Sequence, residues 1–112
     1  MLAQKYRLTK QKDFKEIFNF GKKSFTSCFS FRFKKNNLDY PRLTVVVANK
    51  VAKSAVKRNL LKRKIREIIR LNILKKIDHY DVIVNVLSPA LEKNYEFLEV
   101  ELISLFTKNK LI

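Results

Sequence analysis

Phe14, Ile17 and Phe18 recur at the spacing of one helical face and predict a first helix over residues 9–18. Thr9 or Gln11 would precede that helix, and Gly21, the only glycine, would stop it. The period then changes to two. Over residues 25–34, Phe29, Phe31 and Phe33 fall on one side and Cys28, Ser30, Arg32 and Lys34 on the other. This predicts a half-buried strand with a polar, basic outer face. Residues 35–41 have the composition of a turn. Residues 42–48 (RLTVVVA) are rich in β-branched side chains and predict a central strand.

A long helix follows from Ser54, a candidate N-cap, to about residue 75. At 100° per residue, Leu61, Ile65, Ile68 and Ile69 form its apolar stripe. Arg58, Asn59, Lys62, Arg63, Arg66 and Arg70 cover an adjoining arc of roughly 140°. Lys57 and Lys64 lie on the far flank. Residues 81–87 (DVIVNVL) predict another strand, closed by Ser88-Pro89. Residues 92–107 predict a last helix with Leu98, Leu102, Leu105 and Phe106 inward. The expected fold is a single-domain α+β sandwich over residues 1–112, in the order α-β-β-(β)-α-β-α, where the bracketed strand is a further short one.

Charge changes this picture from a generic small domain to one with a polyanionic partner. The formal net charge is +15. Residues 1–76 carry 22 basic and 4 acidic side chains, whereas residues 77–112 carry 3 basic and 6 acidic ones. The basic surface therefore belongs to the first two-thirds of the chain, and the Leu-rich end reads as scaffold. Self-repulsion on that scale points to nucleic acid. The arc of the long helix strengthens the point, because Glu67 is that helix's only carboxylate. Helices that are charged for solubility mix signs, and arginine makes bidentate phosphate contacts that lysine cannot.

Catalytic candidates are few. His79 is the single histidine and reads as structural or solvated. Cys28 is the single cysteine, so an internal disulfide is impossible and an inert thiol in a reducing cytoplasm is expected. Asp13 and Glu16, at i and i+3, could approach a metal ion, but a solvated face is favoured. Glycines that would cradle a phosphate are missing. The N-terminal residues 1–12 lack the apolar core of a signal peptide, and no apolar run approaches a membrane span. No catalytic residue and no metal ligand is expected.

The run Lys50-x-x-x-x-Ala55-Val56-x-Arg58-Asn59-x-x-Lys62-Arg63-x-x-Arg66-Glu67 resembles the signature helix of the bacterial ribonuclease P protein, the small basic subunit of that ribonucleoprotein. Arg7-Leu8 followed by Asp13-Phe14 and Phe18, the strand 42–48 leading into Asn49-Lys50, and Asp81-Val-Ile-Val with Pro89-Ala90 fall in the same family's order. Leu60 and Leu87 depart from it, each standing where relatives carry a basic residue; Lys53 replaces a frequent glycine.

The resemblance implies a protein that assists a catalytic RNA in removing the 5′ leader from precursor tRNA in the cytoplasm, with the chemistry done by the RNA and its bound Mg2+. It implies a left-handed β-α-β crossover, opposite to the usual hand. It implies that Lys50, Lys53, Arg58, Asn59, Lys62, Arg63, Arg66 and Arg70 face the catalytic RNA. Of these, Asn59 would act through hydrogen bonds that fix the preceding loop or a nucleotide. It implies that Phe14, Phe18, Ser30, Arg32 and Lys34 line a cleft for the single-stranded leader. Arg32 stands where relatives often present an aromatic ring, and core packing is the competing role for both phenylalanines. The composition leaves a stand-alone or ribosomal-protein-like RNA-binding module open. A membrane-surface role is weaker, because the apolar face of the long helix is needed to cover the sheet. Neither a membrane nor DNA is expected as a partner.

Overall fold

The computed structural model describes residues 3–112; Met1 and Leu2 lie outside the described residues. Helix α1 (Gln11–Phe20) is followed by strands β1 (Lys22–Phe25), β2 (Phe29–Lys35) and β3 (Arg42–Val47). Helix α2 (Ala55–Asn72), strand β4 (Tyr80–Val86) and helix α3 (Tyr95–Lys108) complete the chain. Single 3-10 turns occupy Gln4–Tyr6 and Ser88–Glu92. The four strands form one mixed sheet in the order β1-β2-β4-β3. β4 runs antiparallel to β2 and parallel to β3, with α2 as the crossover between the parallel pair. The expected α+β order holds, but the further short strand is β1, which precedes the other two strands instead of following them.

Alternation along the strands divides the sheet into two faces. Phe29, Phe31, Phe33, Val45, Val82, Val84 and Val86 pack with Leu61, Ile65, Ile68 and Ile69 of α2 and with Leu98, Leu102, Leu105 and Phe106 of α3. Both predicted apolar stripes are therefore core. On the opposite face a smaller cluster joins Ile83 to Leu8 and Ile17, with Phe14 and Val46 packed against it. Among the described residues, α1 and the segment before it cover this second face, and Lys23, Arg32 and Lys34 on it stay partly or fully exposed.

Several expectations are corrected. β3 is an edge strand, because the crossover inserts β4 between it and β2. Its edge is shielded where Leu8 N–H donates to Leu43 O at 3.0 Å. The cap of α1 is Lys10, whose side chain makes no capping bond, in place of Thr9 or Gln11. Cys28 is fully buried rather than outward. It precedes β2, within a tight turn closed by Thr26 N–H to Phe29 O at 2.7 Å, so the alternation has not yet begun there. Burial pushes its thiol pKa up, consistent with an inert residue. Ser54 does cap α2, accepting from Lys57 N–H at 3.3 Å.

Gly21 ends α1 as expected, but its φ of −81° is not left-handed. The requirement is close approach. A Cβ on Gly21 would lie 2.4 Å from Ile17 O and 2.9 Å from Phe33 O, both backbone atoms. We expect Gly21→Ala to destabilise the protein by about 1–3 kcal/mol through overpacking, read as a shifted urea midpoint. An unchanged midpoint would mean that the α1–β1 corner yields freely.

Candidate nucleic-acid interface

The basic arc of α2 depends on the loop that leads into the helix. Val51 and Ala52 are buried and anchor residues 48–54, while Lys50 and Lys53 are exposed. Arg58 folds back on this loop, donating from Nη1 to Ala52 O at 2.8 Å and to Lys53 O at 2.7 Å. The guanidinium thus satisfies two carbonyls and holds the loop against the first turn, one of the two roles expected of Asn59. Asn59 instead lines a concavity of about 360 Å³ with Arg63, Arg66 and Glu67. Arg66 also reaches a smaller concavity beside Arg7, Thr9 and the edge strand, so the arc borders the β3 side of the molecule.

The arc's one carboxylate is taken up locally. Glu67 accepts from Arg70 Nε at 3.2 Å and from its Nη2 as well. These bonds hold the Glu67 carboxyl below its ordinary range and raise the Arg70 guanidinium. Lys62, Arg63 and Arg66 remain the open cationic face, and Arg70 belongs to an ion pair. Leu60 lies off the arc, in a concavity with Lys57, Lys64 and Leu91. That departure from the family pattern therefore falls on the opposite flank.

The second surface is the groove between α1 and the open face of the sheet. Ser30, Arg32 and Lys34 of β2 are half-buried along it. Arg32 places its guanidinium carbon 4.8 Å from the centre of the Phe18 ring, a cation–π arrangement. Phe18 is 51% exposed and is no core residue, while Phe14 packs halfway into the small cluster around Ile17. The register adds residues that periodicity alone did not reveal. Phe25 is the partner of Ser30 and Lys23 of Arg32, so both lie on this face, with Phe25 68% exposed. The signal was available in Phe25 itself, but the Thr26–Cys28 turn breaks the alternation that would have pointed it inward.

A polar brace sets the spacing of the groove. Arg42 donates to Asp81 from Nε (2.9 Å) and from Nη2 (2.7 Å). Its Nη1 reaches across to Asp13 of α1 at 3.1 Å. Asn36 adds a bond to Asp81 at 2.9 Å, and its own carbonyl accepts from Leu38 N–H. The Asp81 bonds raise the Arg42 guanidinium further above its ordinary value. Glu16 lies 3.9 Å from Lys34. Asp13 and Glu16, the acidic pair that could have approached a metal, thus face basic groups on the sheet.

The two surfaces meet. Ser30 and Asn85 at the upper end of the groove share a concavity of about 550 Å³ with Lys50, Leu87 and Ser88. Lys50 stands at the junction of the loop and the groove, and Leu87 forms part of the same wall. Lys57, Lys64 and Lys93 sit together on the far side, against the Ser88–Glu92 turn.

Comparison with known proteins gives a consistent result. A family model described as Ribonuclease P matches residues 2–110. The ribonuclease P protein component of Fusobacterium nucleatum is 38% identical over 110 residues, covering 94% of this chain and 97% of that protein. That of Syntrophus aciditrophicus is 44% identical over 71 residues, 63% of this chain and 59% of that protein. Among solved structures, the Staphylococcus aureus RNase P protein superposes with a TM-score of 0.85 at 30% identity, covering 95% of this chain and 96% of that one.

Proposed function

The chain belongs to the ribonuclease P protein family, and on that premise we propose that it holds two RNAs at once. The basic arc of α2 and its loop bind the catalytic RNA. The groove between α1 and the sheet binds the single-stranded 5′ leader of precursor tRNA. The observation that carries this reading is the continuity of the two surfaces through Lys50, with Arg32 stacked on an exposed Phe18 inside the groove.

The chemistry of each part follows from its residues. Lys62, Arg63 and Arg66 neutralise phosphates and release counterions, which lowers repulsion between two polyanions brought together. The Phe18–Arg32 pair offers a stacking platform that tolerates any base, so precursors of different leader sequence can share the groove. Ser30 and Lys34 contribute a hydroxyl and a charge beside it. Cleavage belongs to the catalytic RNA. Magnesium ions, which assist that cleavage when bound, belong to the RNA as well. Asp13 and Glu16 are paired with Arg42 and Lys34, and among the described residues no three His, Cys, Asp or Glu side chains gather as a metal site. The protein would act in the cytoplasm, where precursor tRNA is made; no helix among the described residues is long and apolar enough to cross a membrane.

The test is the dependence of affinity on leader length. With reconstituted holoenzyme, Arg32→Ala should weaken binding of leader-bearing precursors by roughly 1–3 kcal/mol. Mature tRNA and the catalytic RNA should bind as before. Precursors with leaders of zero, two, five and eight nucleotides separate the cases. Identical length dependence in wild type and variant would remove the leader from this strand face.

A further inference from the structure

Beyond the groove, α1 ends on a second concavity, which shares only Lys34 with the surfaces proposed so far. It lies at the opposite end of the strands from Lys50 and has a volume of about 490 Å³. Phe20, Phe33 and Tyr80 supply rings, and Lys22, Lys34, Lys35 and Lys110 supply charge. No carboxylate is among its lining residues; the nearest pairing is Glu16 with Lys34 at 3.9 Å.

Three features make this a built site. Phe20, at the last turn of α1, is a large apolar ring that lines the concavity and is still 70% exposed. Tyr80 is fixed edge-on to buried Phe33, with centroids 6.1 Å apart and planes at 70°. Lys110 is held at φ 62°, the left-handed region that favours glycine. Its backbone N–H donates to Thr107 O and the next one, of Leu111, to Phe106 O, both at 3.0 Å. This is the turn that closes helices most readily with glycine, yet here it carries a lysine at the rim. Asn109 beside it is locked through Nδ2 to Ser24 Oγ (3.1 Å) and Leu105 O (2.9 Å), which leaves Oδ1 as the acceptor it can offer.

We infer that this concavity binds an unpaired nucleotide of the leader beyond the stretch held in the groove, with the base against Phe20 and the flanking phosphates among Lys22, Lys35 and Lys110. Continuity favours the leader as the source. Lys34 lines this concavity and also belongs to the basic face of β2 in the groove, while Phe20, two positions past Phe18, stands on the other side of the end of α1. A strand leaving the Arg32–Phe18 platform passes Lys34 on its way round the end of α1. Aromatic faces interleaved with lysines suit single-stranded RNA, because every base has a face to stack and every nucleotide a phosphate. The inference rests on the reading that this protein binds the leader.

The experiment uses holoenzyme and precursors with leaders of two, five, eight and twelve nucleotides. Phe20→Ala should lose about tenfold in affinity for the longest leader and nothing for the shortest. Lys110→Gly should reduce the salt dependence of long-leader binding by about 0.7 in log–log slope. It should also melt at or above the wild-type temperature, since it relieves the left-handed lysine, so a weakened affinity could not be ascribed to unfolding. Wild-type behaviour of both variants at every length would overturn the site. So would an equal loss for catalytic RNA alone, which would assign the concavity to that RNA. Arg32→Ala in parallel separates the two readings: a flat Arg32 series with a length-dependent Phe20 series would remove the groove and keep this site.

Discussion

Replacing Arg42 by alanine should cost roughly 3–5 kcal/mol of folding stability, the range for removing one partner of a buried ion pair. Among the described residues, Arg42 is the only side chain bonded to both Asp81 and Asp13, and the side chains of all three are less than a fifth exposed. Without it, Asp81 keeps a single bond from Asn36 as its charge stays largely out of water. A small domain has about 5–15 kcal/mol in total, so the loss should be visible as a large drop in urea midpoint. A double-mutant cycle sharpens the claim. Asp81→Ala should be much less harmful in the Arg42→Ala background than alone, because the second change removes the stranded charge. Faster amide exchange along α1 should accompany the loss, since Asp13 ties that helix to the sheet. A cost under about 1 kcal/mol, typical of a solvated pair, would show that the brace is dispensable.

The second large effect concerns affinity for the catalytic RNA. Replacing Lys62, Arg63 and Arg66 together by alanine should lower the slope of log K against log salt by about 2 to 3, at roughly 0.7–0.9 for each phosphate no longer neutralised. These three form the open part of the arc, whereas Arg70 is paired with Glu67 and Arg58 is bonded to its own loop. Lys93→Ala and Lys108→Ala provide the comparison. Lys93 lies over the Phe97 ring at 4.7 Å, and Lys108 ends α3, both away from the arc. Their removal should leave the slope unchanged. An equal change per charge in the two sets would mean that net charge alone drives binding.

The sequence carried the fold class, both amphipathic stripes and the cap at Ser54, because these are local. An apolar residue every three or four positions must face a core wherever the helix lies, and all eight predicted stripe residues of α2 and α3 are buried. It also carried the arc, since side chains on one helix keep their angular order whatever packs behind them. Tertiary structure decided what depends on residues far apart in the chain. Sheet order placed β3 at an edge, and register brought Phe25 beside Ser30 across a turn that resets the alternation. The pairing of Arg42 with Asp13 and Asp81 spans 29 and 39 positions, and no local pattern signals which carboxylates it will meet. Arg58 and Asn59 show the same limit at short range: adjacent polar residues on one arc, separated in role only by where the loop's carbonyls come to rest. Periodicity fixes which way a side chain faces. Only the packed chain fixes what it faces.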